Sequence, residues 1–244
     1  MVQTPKAKVL MRSAARGFFF CILFAPSSLV LGQVCQGGPS FKEGNMRLGA
    51  GATFGDNTKS YGAAFATGSP QGPFASVGLS TVQYDNVSGN GAVVTVSGGW
   101  SVDVVPSGAA QLCPLIGFSY QNGPNYSTGF GDFPTSAHAF ALGASFGGVA
   151  MTSPGFDFVP FASFGYYLAT GNASGGGFNV STNQNYGDLT IGSGFVINRT
   201  LTLQPGVSIP VGLENGKTSF SIAVAFNFGS HNAHPSSGTA VGNR

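Results

Sequence analysis

The chain has 244 residues, of which only 7% are charged and 39 are Gly, against about 25% charged and about 7% Gly in an ordinary soluble domain. So few charges would make a water-facing surface sticky, while 22 Phe residues exclude the charge-rich, aromatic-poor make-up of a disordered chain. Beyond the first 32 residues no apolar run reaches the ~18 residues that a membrane helix needs, so any membrane crossing must be made by strands.

Residues 1–32 read as a secretory signal peptide. Lys6, Lys8, Arg12 and Arg16 form a basic region, Gly17 to Leu31 is apolar but short and interrupted, and Gly32 is a small residue suited to cleavage. With those four basic residues removed, six remain against eight acidic ones, a net of about −2 that gives no reason to expect nucleic acid as a partner. Residues 33–44 are expected to form a short periplasmic or plug segment. Cys21 leaves with the leader, and the even pair Cys35 and Cys113 enters an oxidising compartment, where a disulfide between them is expected to tie this segment to the barrel rim or lumen.

Residues 45–229 carry ten predicted strands, separated by Gly, Pro, Asn and Ser clusters. They run approximately over 45–54, 60–67, 73–84, 91–104, 111–120, 136–149, 155–168, 186–197, 201–210 and 217–228. The last is the clearest: Phe220, Ile222, Val224, Phe226 and Phe228 share one parity, and Ser219, Ser221, Ala223, Ala225 and Asn227 the other. An even count returns both ends to one side. With that side in the periplasm, the longest connections, 121–135 and 169–185, fall outside and the shorter ones inside, as in outer-membrane barrels. Arg47, Asp103, Asp157 and Asp188 all lie off the apolar parity of their strands, hence away from lipid. Arg47, Asp103 and Asp157 fall near the periplasmic end and are expected to form a charge cluster inside the lumen. Trp100, Tyr120, Tyr126, Tyr166 and Tyr167 are candidates for interfacial aromatic girdles. Residues 230–244 read as a solvated tail.

The leader, the Gly-rich alternating strands, the even count and the terminal Phe226-Asn227-Phe228 together resemble the small opacity-type class of bacterial outer-membrane β-barrels. That class has eight strands, whereas ten are marked here. The resemblance implies an all-β, closed, antiparallel up-and-down transmembrane barrel, with eight strands as the alternative to ten. It also implies outer-membrane lipid and the barrel-assembly machinery as partners, the latter meeting Phe226 and Phe228 of the terminal strand.

Little catalytic chemistry is visible, and the chain is not expected to be an enzyme. His138 has Ser136 on the same parity and Asp132 nearby, but a lone His at this position reads better as an interfacial residue than as part of a hydrolase triad. His231 and His234 are too few for a closed metal site, and Gly175 to Gly177 lacks the strand-to-helix setting of a phosphate cradle. No cofactor is expected. The inward parity of the sixth and tenth strands is small, including Ala137, Ala139, Ala141, Ser145, Ser221 and Ala223, and leaves room inside. The expected function is therefore a narrow pore or conduit for a small-molecule solute. The alternatives are a structural or adhesive barrel displaying its long loops, and a soluble secreted β-sandwich.

Overall fold

The computed structural model describes residues 33–41, 45–85, 89–128, 131–175, 178–213 and 216–229, the side chains of 126–133 and of Phe178 excepted. The leader, residues 42–44, Asn86, Gly176 and Gly177, and the tail with His231 and His234 lie outside the described residues.

Ten strands form one closed antiparallel sheet: β1 Met46–Gly55, β2 Thr58–Gly68, β3 Gly72–Tyr84, β4 Asn90–Asp103, β5 Ala110–Asn122, β6 Thr135–Gly148, β7 Phe156–Gly175, β8 Phe178–Ile197, β9 Leu201–Val211 and β10 Ser219–Phe228. Each pairs with its neighbours in sequence, and β1 pairs with β10 from Met46↔Phe228 to Phe54↔Phe220. This is a ten-stranded up-and-down barrel, and a single sheet closed on itself excludes both the eight-strand count and the sandwich. Short extra pairings join Tyr126–Thr128 to Gly131–Phe133, and Met151–Ser153 to the start of β7.

Closure fixes the geometry. Stepping from partner to partner leads from Leu201 through Phe226, Leu48, Phe65, Val77, Val96, Phe118, Phe140 and Leu168 to Asn185. Asn185 lies two residues past the Gly187↔Val211 pair, hence level with position 213, twelve residues from the start. A stagger of twelve over ten strands gives a strand tilt of about 40° and a backbone radius of about 10 Å.

Parity then decides what faces where. Leu48, Leu79, Val96, Ile116, Leu142, Phe164, Ile191 and Phe226 all point outward and are exposed, Leu79 by 63%. A continuous apolar exterior of this kind is unstable in water and stable in hydrocarbon, where the closed ladder leaves no backbone edge to satisfy. Among the described residues no helix is long and apolar enough to cross a membrane. Two tight turns show the local chemistry at work. Asp56 and Asn57 link β1 to β2 with Asn57 at φ 61°, and Asn198, Arg199 and Thr200 link β8 to β9, with Asn198 and Arg199 at φ 49° and 56° as the left-handed pair of a primed turn closed by Thr200 N donating to Ile197 O at 3.1 Å.

Two expectations need correction. Residues 169–185 are largely strand rather than loop: β7 and β8 are 20 residues each and pair from Phe156↔Ile197 to Gly175↔Phe178. Backbone pairing needs no apolar side chain, so the Asn-, Ser- and Thr-rich ends that look like loop in sequence continue the ladder. Tyr167 points inward and stacks, half-buried, on Tyr186, so it is not part of an interfacial girdle. Trp100, Tyr120 and Tyr166 face outward. The side chain of Tyr126 is outside the described residues.

Candidate functional site

The lumen is where the polar chemistry lies, and one end of it is filled by the chain's own N-terminal segment. Residues Val34–Gln36 make a single 3-10 turn, with Gln36 N donating to Gln33 O at 2.8 Å and Gly37 N to Val34 O at 3.1 Å; Gly37 then turns the chain at φ 75°. Gln33, Cys35 and Phe41 are completely buried, which places the segment inside the barrel at the end where both strand termini meet. A disulfide joins Cys35 to the inward-facing Cys113 of β5, with Cα atoms 6.1 Å apart.

The barrel wall serves the segment with side-chain donors. Gln204 of β9 donates to Gln36 O at 2.6 Å, Ser145 of β6 donates to Cys35 O, and Arg47 of β1 donates from Nη2 to Pro39 O at 2.7 Å. Gln33 in turn donates to Ser69 O at 2.5 Å. Phe41 packs among Ala64, Ala66, Phe74 and Ala225, so the small inward residues of β2 and β10 are occupied here and do not surround empty space. Two strand glycines admit the backbone: a Cβ on Gly194 would lie 1.6 Å from Gly37 O, and one on Gly147 would lie 2.3 Å from Val34 O. Beside Gly194 the β8–β9 ladder lapses between Gly192↔Gly206 and Phe195↔Leu203, next to Pro205, which has no N–H to donate.

The three charges expected to cluster have separate partners. Arg47 is fully buried, donates from Nε to Asn227 Oδ1 at 2.5 Å and lies with its guanidinium 5.4 Å from the Phe41 ring centre. Asp103 accepts from Gln111 Nε2 at 2.8 Å and from Gln71. Asp157 accepts from Thr152. The ion pairs given by the structure are elsewhere, Lys59 with Asp85 and Lys217 with Asp56, both at exposed ends of strands.

Beyond the segment the lumen holds a cavity of about 160 Å³, lined by inward residues that include Thr95, Ser97, Ser119, Ala139, Ala141, Ser163, Tyr167, Tyr186, Asp188, Thr190, Ser208 and Ser219. A smaller one of about 50 Å³ lies against Gln36, Phe161 and Gln204. Tyr167 and Tyr186 are cross-strand partners with ring centres 5.0 Å apart and planes at 8°. Asp188, the next inward residue of β8, accepts from Ser208 at 2.5 Å and from Thr190 at 3.2 Å. The inward parity of Asp188 is legible in sequence. Its meeting with the tyrosine pair depends on the β7–β8 register and is not.

His138 points to the exterior, opposite Tyr120 across the β5–β6 ladder, and Ser136 shares that face. Neither reaches the lumen, and the side chain of Asp132 is outside the described residues. No group of three His, Cys, Asp or Glu side chains able to hold a metal occurs among the described residues. Phe226 and Phe228 face outward on β10, opposite Leu48 and Met46 of β1 at the closing seam.

No family model and no curated protein matches this sequence. Solved structures that resemble it are bacterial outer-membrane β-barrels. The N-terminal β-barrel domain of Pseudomonas aeruginosa OprF is 11% identical, the match covering 76% of this chain and 98% of that one with a TM-score of 0.40. The β domain of the Bordetella autotransporter BrkA is 14% identical, covering 76% and 99% with a TM-score of 0.48. The NanC porin is 10% identical, covering 75% and 100% with a TM-score of 0.36. The likeness extends to the barrel and carries nothing about activity.

Proposed function

We propose that this chain is a bacterial outer-membrane β-barrel whose lumen is a narrow conduit for small solutes, held shut at the periplasmic end by residues 33–41. The apolar exterior is what lipid requires, and Phe226 and Phe228 on the seam strand are the signal offered to the barrel-assembly machinery. The observation that carries the proposal is the tethered segment: its backbone carbonyls accept from three different strands, so it is a fitted part of the lumen, while small polar residues line the space beyond it. A wall built only for rigidity would fill that space with larger side chains.

Planar-bilayer recording tests this. The intact chain is compared with one lacking residues 33–41 and carrying Cys113→Ser, each checked for folding by its heat-dependent gel mobility. The expected result is small or no steps from the intact chain and clear single-channel steps from the shortened one. A folded, shortened chain as silent as the intact one would refute the conduit.

A second reading rests on the far end. β8 continues beyond Gly187↔Val211, where its pairing with β9 stops, while β7 stays paired with β6 as far as Ala173↔Thr135, so the polar ends of β6, β7 and β8 stand above β9 as a ribbon suited to surface display. Loss of cell-surface binding on trimming residues 171–182, with conductance unchanged, is the outcome that favours an adhesive or structural role.

A further inference from the structure

We propose that the open part of the lumen binds a small organic cation, with its charged group on Asp188 and its apolar part against the Tyr167–Tyr186 pair. The proposal rests on the reading of the lumen as reachable by small solutes, but binding needs no passage through the plug.

The argument begins with charge. Asp188 faces the cavity and accepts hydrogen bonds from the hydroxyls of Ser208 and Thr190, both neutral. A carboxylate has about four acceptor sites, so two remain for a ligand. Lys217, a cation on the lining of this cavity, is engaged by Asp56 at the rim, and Arg47 is sealed beneath the plug by Asn227 and Pro39. Among the described residues no cation pairs with this carboxylate, and in a narrow, low-dielectric space its charged form is favoured by a bound cation.

Shape supplies the rest. Gly165 is the cross-strand partner of Asp188 and has no side chain, and the Tyr167 ring lies over it: a Cβ there would sit 3.0 Å from Tyr167 Cε2. The carboxylate thus has the Tyr167 ring, leaning over Gly165, as an aromatic neighbour, an arrangement that suits an alkylated ammonium group better than a hydrated inorganic ion. The cavity of about 160 Å³ has room for a small organic ligand.

Calorimetry on the full, folded barrel in detergent tests the proposal with choline and its uncharged isostere, 3,3-dimethylbutan-1-ol. The expected result is about a tenfold or greater preference for choline, falling to no preference in Asp188→Asn. Equal binding of the two probes, binding of neither, or a preference that survives in folded Asp188→Asn would overturn it. Should Asp188→Asn fail to fold, the wild-type comparison of the two probes decides alone, and Asp188→Glu is expected to keep a reduced preference. A folded chain lacking residues 33–41 that stays silent in bilayers, with choline still bound by the intact barrel, would refute the conduit and leave this site standing; a conducting shortened chain without choline binding would do the reverse.

Discussion

Replacing Gly194 by Ala puts a methyl group into the one place where barrel wall and plug meet backbone to backbone. The added Cβ would sit 1.6 Å from Gly37 O, 2.7 Å from its carbonyl carbon and 3.3 Å from its Cα. None of these atoms is the end of a flexible side chain. Gly37 is also pinned, because its N–H donates to Val34 O, Gln36 O is held by Gln204, and Cys35 is covalently fixed to β5. Relief needs a shift of about 1.5 Å in the plug or the strand, and overpacking of this kind costs about 1 to 3 kcal/mol. Gly117→Ala is the matched control. It too lies inward on a strand, but its Cβ would meet nothing closer than 3.7 Å, so reduced chain entropy makes the change neutral or stabilising by about 0.5 kcal/mol. The pair is expected to differ by about 1 to 3.5 kcal/mol in urea unfolding followed by the fluorescence of Trp100, the single Trp. In a chain lacking residues 33–41 the difference should vanish. If both variants shift the midpoint equally, or if the Gly194→Ala cost persists without the segment, the plug is not what that glycine accommodates.

Two further outcomes follow from the same structure. Leu79→Arg places a cation on the most exposed apolar position near the middle of β3 and should cost about 2 to 4 kcal/mol in lipid vesicles, while Ser80→Arg, one residue on and facing the lumen, should escape that lipid penalty; equal lipid dependence of the two would show that the outward face is not in hydrocarbon. Arg47→Met leaves Asn227 Oδ1 and Pro39 O without their buried donor and should destabilise by about 2 to 4 kcal/mol, with Arg47→Lys intermediate; a Met variant as stable as the wild type would mean that the desolvation cost of the cation cancels its hydrogen bonds.

What the sequence by itself determined is the wall. Alternation in each strand settles which residues face out, and even and odd connections keep that face continuous, because a strand reverses its side chains every residue and a slip of one would bury charge in lipid. The inward placement of Arg47, Asp103, Asp157 and Asp188 is local in the same sense. Strand ends are less legible: 169–185 is dominated by Gly, Asn, Ser and Thr, with Phe178 and Val180 its only large apolar residues, yet its backbone groups still pair. The contents of the lumen were decided only in three dimensions. Which inward residues meet across the barrel depends on the stagger of twelve and on closure of β1 against β10, quantities that belong to all ten strands together. That is why Tyr167 looks like a girdle residue until β8 brings Tyr186 beside it. It is also why the small inward face of β10 looks like empty space until Phe41 packs against Ala225.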